Sequence, residues 1–504
     1  MILFDIMEKN SKALIIGAGI GGIATAIFLV KSGFDVTIYE KNSVPGGRCG
    51  QVLHDGHRFD LGATMLLMPG VYREIFQTLG LDYEKVLEPE PLKDLYTLWF
   101  DDGKKLAFTT DMKRMEMQLE SIEKGSFKNS QKYISEGKKF YKLANENLIG
   151  RNFYNFFQFA TLKNILTLMK LKVYLTHQQY IQKFFKNPHL QMAFTFQNIY
   201  VGQSPFDAPA FFSMIPAIEL EEGSFFPKGG IYSVVKVLRS EAERCGVKFR
   251  FDKEVTSIRT EGNIAKGLKV AGGELAEADV VVANADLPYV YSELLPDKRS
   301  AKKFERMKYS CSAMVFHWGL DKIYPMLDHH NVFLSDTFRT GLRVIFRDKR
   351  ADPAPSFYVH APSRSDASAA PEGRDTLSII VGIGHLDETK GQDWKAFRKI
   401  TRDAVIKRLV EAGLTDIEKH IQHELCYNPG TWESVYHVAR GSVFGSLSHS
   451  LLQMGYFRPH NRHSKYKNLY FTGGSTHPGN GIPLVLLSAR LTAERILRNE
   501  KRMK

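Results

Sequence analysis

Apolar positions near the start of the chain fall into short runs broken by glycine. Ala13–Ile16 is a four-residue apolar run of the kind that forms a buried parallel strand. It breaks at Gly17, and Ile23–Val30 (IATAIFLV) then has the spacing and length of a helix. A second strand, Asp35–Tyr39, follows and ends in Glu40. Further along, Leu95–Phe100 (LYTLWF) and Leu106–Thr109 (LAFT), joined by Asp101-Asp102-Gly103, predict an antiparallel pair. Residues Ala351–Arg374, rich in Pro, Ser, Ala and Asp, predict an exposed loop. Strand–helix–strand at the start with strand pairs later indicates an α/β fold, and 504 residues are too many for one core.

Gly17, Gly19 and Gly22 fit G-x-G-x-x-G between that first strand and its helix. The first glycine permits a tight turn, the second lets backbone approach a pyrophosphate, and the third lets helix pack close on strand. The phosphates then meet free N–H groups at the helix N-terminus and the positive end of its dipole. Glu40 lies eighteen residues after Gly22, where a carboxylate accepts hydrogen bonds from ribose hydroxyls and repels a 2′-phosphate. NADP is therefore disfavoured. Lys41–Arg48 (KNSVPGGR) adds a second glycine turn, Gly46-Gly47, ahead of a cation for a diphosphate, and Phe59–Thr64 (FDLGAT) follows. A nicotinamide enzyme has no use for that turn, so FAD is the expected cofactor. The chain has no second G-x-G-x-x-G, so no built-in NAD(P)H site is expected.

These residues resemble the FAD-dependent amine oxidase-like superfamily and, within it, the bacterial-type phytoene and carotenoid desaturases. The C-terminal segment Asn468–Ala489 (NLYFTGGSTHPGNGIPLVLLSA) is similar to the carotenoid-desaturase signature. In it Leu469–Thr472 reads as a buried strand, and Gly481-Ile482-Pro483 opens a helix facing the flavin. Phe226–Gly230 (FPKGG), followed by a helix to Cys245, resembles the family's "P-x-G-G" segment. Phe249–Ile258 predicts a strand in which Val255 matches the residue whose backbone meets adenine, and Ala278–Asp286 resembles the strand returning to the cofactor domain. The resemblance thus implies cofactor contacts from Gly17, Gly19, Ile20, Gly22, Glu40, Lys41, Gly47, Arg48, Ala63, Thr64, Met65, Val255, Gly474, Gly481 and Ile482. Amine oxidases carry an acid where this chain has Gly474, which makes amine oxidation less expected.

The implied organisation is a discontinuous Rossmann-type FAD domain (residues 1–91, 223–287 and 466–504). A mixed-sheet substrate domain (92–135 and 288–465) and a helical membrane-facing subdomain (136–222) complete it. The implied activity is insertion of a C=C bond into a carotenoid polyene. The Gly-Gly-Ser-Thr-His-Pro version of the signature points to 3,4-desaturation of a 1-hydroxycarotenoid. Phytoene or apophytoene desaturation, and a flavin-dependent carotenoid isomerase or oxygenase, are the alternatives. A GDP-dissociation-inhibitor-like lipid-binding protein is the non-enzymatic alternative, opposed by the complete glycine motif. No catalytic dyad is evident, and His477 reads as a structural donor. Oxygen or a quinone is the expected electron acceptor.

Charge and cysteine content refine this. The net charge of +13 favours anionic partners. Four scattered cysteines indicate neither a disulfide framework nor a zinc site, and no metal is expected. Residues 1–12 (MILFDIMEKNSK) lack a signal-peptide pattern, and no apolar run approaches the ~18 residues of a membrane span. A cytoplasmic, peripherally membrane-associated protein is expected. Between Asn147 and Asp207 there is no Asp or Glu. Arg151, Lys163, Lys170, Lys172, Lys183 and Lys186 instead alternate with Phe153, Tyr154, Phe156, Phe157, Phe159, Tyr174, Tyr180, Phe184 and Phe185. Such helices suit an acidic leaflet. The same mixture suits single-stranded nucleic acid, and a packed helical subdomain with a basic solvent face is the plain alternative. An acidic membrane surface is preferred because carotenoids dissolve in bilayers, and no nucleic-acid partner is expected.

Overall fold

The computed structural model describes residues 11–503, with side chains to 499. The N-terminal pattern becomes β1 (Lys12–Ile16), α1 (Ile20–Val30) and β2 (Asp35–Tyr39). These strands belong to a five-stranded sheet, all parallel, in the order Leu469–Phe471, Val280–Ala283, β1, β2, Lys248–Arg250. Three distant stretches of chain therefore build one sheet. Every residue of α1 from Ile20 to Leu29 is buried, because the helix runs between this sheet and the helices Tyr232–Arg244 and Ile482–Met503. A helix covered on all sides has no polar face, and the unbroken apolar run reflects that.

The second sheet has seven strands, in the order Ile421–Tyr427, Ser312–Leu320, Asp375–Ile383, Phe357–His360, His330–Leu334, Tyr96–Phe100, Lys105–Phe108. Only the pair His330–Leu334 with Tyr96–Phe100 is parallel. Ser312–Leu320 is buried at every position, on both faces. A smaller antiparallel sheet of Val255–Glu261, Ile264–Val270 and Leu275–Glu277 lies beside the first.

Helices form the third layer. Ser126–Ala144 packs against Met214–Glu222 so closely that a Cβ on Gly137 would lie 2.5 Å from Cβ of Ala217 and 2.6 Å from the Ser213 carbonyl oxygen. Overpacking of that kind costs about 1–3 kcal/mol, so a glycine there sets the helix crossing.

Three expectations need correction. Phe249–Ile258 is not one strand: Lys248–Arg250 joins the parallel sheet, while Val255 opens a strand of the small one. Ala351–Arg374 is not simply an exposed loop, since it contributes the buried strand Phe357–His360. A domain boundary at 135/136 falls inside the helix Ser126–Ala144, and the helical layer begins earlier, at Met112.

Candidate functional site

A single cavity of about 800 Å³ runs from the ends of β1 and β2 into the helical layer. Gly17, Gly19, Ile20, Glu40, Lys41, Gly47, Arg48, Ala63, Thr64, Met65, Val255, Gly474, Gly481 and Ile482 all line it. Gly22, the remaining candidate, does not. A Cβ there would collide with the Gly17 carbonyl oxygen, so Gly22 lets α1 pack on the turn.

The crevice at the sheet end is made mostly of backbone. Gly17 has φ +92 and donates its N–H to the Tyr39 carbonyl at 2.8 Å, tying the turn to β2. Gly19 caps α1 without any side-chain cap, and no acid lies in the first turn. The helix end therefore leaves N–H donors free for an anion. A Cβ on Gly19 would come 2.8 Å from Nδ2 of Asn284, which itself donates to the Gly17 carbonyl at 3.2 Å. Asn284 ends the strand Val280–Ala283 and was not singled out from sequence. Its signal was its place, a polar side chain at the carboxyl end of a strand adjoining β1.

Glu40 is buried, and its carboxylate is held in place by its neighbours. Oε2 accepts from the N–H of Ala18 at 2.8 Å, and Oε1 from the backbone and side-chain N–H of Asn42 at 2.9 Å each. Lys41 reaches the Ser434 carbonyl at 3.1 Å, and burial lowers its pKa. The Gly46–Gly47 turn is pinned by Gly46 N–H donating to the Ala18 carbonyl at 2.9 Å. Arg48 then crosses to the C-terminal segment, donating to the Val443 carbonyl at 2.6 Å. Its Nη2 lies 3.1 Å from where a Cβ on Gly474 would sit, so a larger residue at 474 would press on the guanidinium. Burial lowers the Arg48 pKa, and nearby Asp286 opposes that shift. Asp286 Oδ1 is buried without a protein partner. Arg458, fully buried and unnoticed in the sequence, donates to the Gly474 carbonyl at 2.6 Å and shapes the same turn. His477 also proves buried and faces the Arg151 carbonyl at 3.1 Å, outside the cavity wall.

Beyond the crevice the wall becomes apolar, with Phe196, Ile199, Phe211, Phe212 and Ile218. Polar groups interrupt it, Glu219 and Tyr200 among them. Glu219 accepts from the Tyr96 hydroxyl at 2.9 Å, its Oε1 has no protein partner, and burial pushes its pKa up to about 8. The Tyr200 hydroxyl is likewise buried and unpartnered. Nearer the crevice, Tyr358 shares a hydrogen bond with Thr64 at 2.8 Å.

The cavity opens where Leu451, Leu452 and Phe457 are both wall and exposed surface. Phe457 touches Phe159, with ring centroids 5.5 Å apart, which joins this rim to the helix Leu162–Lys170. That helix is inverted. Asn164 and Thr167 are buried, while Leu162, Ile165, Leu166 and Met169 are each at least half exposed. The expected basic docking face changes accordingly. Lys172 is engaged by Glu136 at 2.9 Å and lies over the Tyr180 ring, and Arg151 stacks on Phe153. Phe153, Phe159, Tyr180 and Phe185 are core residues, leaving Tyr154, Phe156, Phe157 and Tyr174 outward. Among the described residues no helix is long and apolar enough to cross a membrane.

Residues 20–497 match the family of flavin containing amine oxidoreductases. A phytoene desaturase of Fusarium fujikuroi is 37% identical, covering 98% of this chain and 90% of its own. The chain belongs to the flavin-containing amine oxidoreductases, together with the carotenoid desaturases. A 4,4'-diapophytoene desaturase (4,4'-diaponeurosporene-forming) of Staphylococcus aureus is 34% identical, over 97% of this chain and 99% of its own. In fold it resembles an oxidoreductase from Methanosarcina mazei, with a TM-score of 0.65 at 15% identity, covering 96% of this chain and all of that one. This desaturase-family protein is thus an FAD-dependent oxidoreductase acting on CH–CH bonds. The residues present fit FAD: Gly17 and Gly19, an uncapped helix end and a positioned carboxylate share one cavity, with Gly22 packing the helix against the turn.

Proposed function

We propose that the enzyme desaturates a linear carotenoid taken from a bilayer, with 3,4-desaturation of a 1-hydroxycarotenoid as its specific reaction. The crevice residues divide the cofactor between them. Gly17, Gly19 and Ile20 receive the pyrophosphate, Glu40 the ribose hydroxyls, and Val255 the adenine through its backbone. Lys41, Gly47 and Arg48 line the diphosphate side, and Ala63, Thr64, Met65, Gly474, Gly481 and Ile482 surround the ring system. Bound FAD supplies a two-electron oxidant that accepts a hydride from an allylic C–H. The chain's own work is to hold the polyene straight along the Phe196–Phe212 wall and to exclude water. A proton must also leave the substrate, and a conjugated cation is acidic enough to need no strong base. Electrons then pass to oxygen or a quinone, in keeping with a sequence that has one dinucleotide motif.

The observation supporting the hydroxylated substrate is that Glu219 Oε1 and the Tyr200 hydroxyl are unpartnered polar groups beside the apolar stretch from Phe196 to Ile218. Buried polar atoms are costly unless something bonds to them, and a substrate hydroxyl would. Desaturation of phytoene or diapophytoene is the second reading, favoured by the names of the relatives. Chromatography of pigments after incubation with hydroxylated and non-hydroxylated carotenes in liposomes separates the two. Conversion of the hydrocarbon alone would overturn the first.

The apolar rim supports docking on a membrane surface, with Lys163 and Lys170 adding attraction to acidic lipid. A substrate that leaves the bilayer at the rim enters the cavity without crossing water.

A further inference from the structure

We propose that His329, His330 and His360 bind a nitrogen-preferring transition-metal ion, zinc or copper, beneath the cofactor crevice. His330 and His360 stand directly opposite each other in the antiparallel pair His330–Leu334 and Phe357–His360. Opposed residues on a sheet project from the same face. His329, just before the first strand, is turned to the same place, its carbonyl accepting from the Ala361 N–H at 2.9 Å. The ring centroids are 4.4, 4.8 and 5.4 Å apart. One nitrogen from each ring can be chosen so that all three lie within 4.8 Å of one another.

Hydrogen bonds orient two of the three rings as ligands, while Nδ1 of His360 has no partner. Nδ1 of His329 is bonded to the Ser365 hydroxyl, and Nδ1 of His330 to the Tyr358 hydroxyl at 2.7 Å. Outer partners of this kind fix the tautomer and turn Nε2 inward. There, Nε2 of His329 faces Nε2 of His360 at 3.0 Å, and Nε2 of His330 is buried with no partner. A hydrogen bond between two imidazoles explains only the first contact. A metal ion satisfies all three nitrogens at once. Burial also keeps the rings unprotonated, the form that ligates.

Three neutral nitrogens and no carboxylate in the set exclude magnesium and calcium as natural occupants. Copper(I), with one charge, is cheaper to bury than zinc; both have the right ligand preference. Through Tyr358 the ion would brace Thr64 at the crevice edge.

The test uses untagged, flavin-loaded enzyme from cells supplied with zinc or with copper. An exposed cluster of His54, Asp55 and His423 is a second place for a metal, so Asp55→Asn with His423→Gln serves as the background. About one ion per chain is expected there, with X-ray absorption showing three nitrogens at about 2.0 Å. His329→Gln and His360→Gln should each lower metal content about tenfold or more while flavin content reports correct folding. Less than about a tenth of an equivalent of either metal in that background would overturn the site. So would undiminished content in both histidine variants. If neither variant folds, the metal content and absorption spectrum of the background protein decide alone.

Discussion

The cofactor crevice and the cavity mouth both leave groups without protein partners, and they do so in opposite ways. At the crevice the free groups are donors, the N–H groups at the start of α1, beside an Arg48 guanidinium held by the Val443 carbonyl. At the mouth they are hydrocarbon: Leu162, Ile165, Leu166 and Met169 face out while Asn164 and Thr167 face in. The unmatched chemistry of each region describes its partner, an anion at one end and lipid at the other. Space discriminates them too. A Cβ on Gly19 or Gly22 would come within 3 Å of a neighbouring atom, whereas the mouth is open.

The largest effect should come from filling the crevice. Gly19→Val places a branched side chain where even a Cβ comes 2.8 Å from Asn284, so FAD should be lost entirely. Glu40→Ala, which removes a ribose contact but keeps the phosphate cradle, should weaken binding less. Flavin absorbance of the purified variants reads both, and wild-type flavin in Gly19→Val would mean the crevice is misassigned.

Next comes the mouth, where apolar and charged contributions compete. Partial burial of Ile165, Leu166 and Met169 in lipid contributes about 1 kcal/mol or more for each. A lysine near an anionic surface contributes on the order of 1 kcal/mol, and Lys172 is already paired with Glu136, which leaves Lys163 and Lys170 on the helix Leu162–Lys170. Changing Ile165, Leu166 and Met169 to Ser should therefore reduce liposome cosedimentation more than Lys163→Glu with Lys170→Glu. Binding of the serine variant, which rests mainly on the lysines that remain, should weaken with added salt, whereas the residual apolar binding of the lysine variant should not. The reverse ranking would return docking to charge.

The smallest effect is inside the cavity. Glu219 has a folded pKa of about 8, above its unfolded value, so the unfolded state releases its proton first as pH rises. Its effect is absent at pH values below the unfolded pKa. Stability is then lost progressively as pH rises, and the loss is complete above about 8. Glu219→Gln should match wild type near pH 5 and melt higher at alkaline pH. A melting difference that does not change with pH would show that Glu219 is not held protonated.

The crevice was legible because it is local in sequence. Gly17 to Gly22, Glu40 and Arg48 lie within one strand–helix–strand unit, where spacing dictates geometry. Even the distant Gly474, Gly481 and Ile482 sit in a signature long enough to stand alone. Arg458 was not legible, because its bond to the Gly474 carbonyl depends on how an irregular segment turns back, nor were Asn284 and Glu219, whose partners Gly17 and Tyr96 lie far along the chain. The basic stretch from Arg151 to Lys186 misled for the same reason. Glu136, which neutralises Lys172, lies outside the acid-free window that drew attention to it.

The order of strands in the parallel sheet also governs when the enzyme can come to life. β1 is made some 270 residues before its neighbour Val280–Ala283, and the edge strand Leu469–Phe471 follows later still. Contacts that span so much chain form slowly, because a long loop must close before they stabilise anything. The nascent protein therefore waits, with a glycine turn ready and no bed for a flavin, until the segment around Leu469–Phe471 has been made. Holoenzyme yield should be limited by this late closure, and losing the last forty residues should forfeit the cofactor while most of the chain remains.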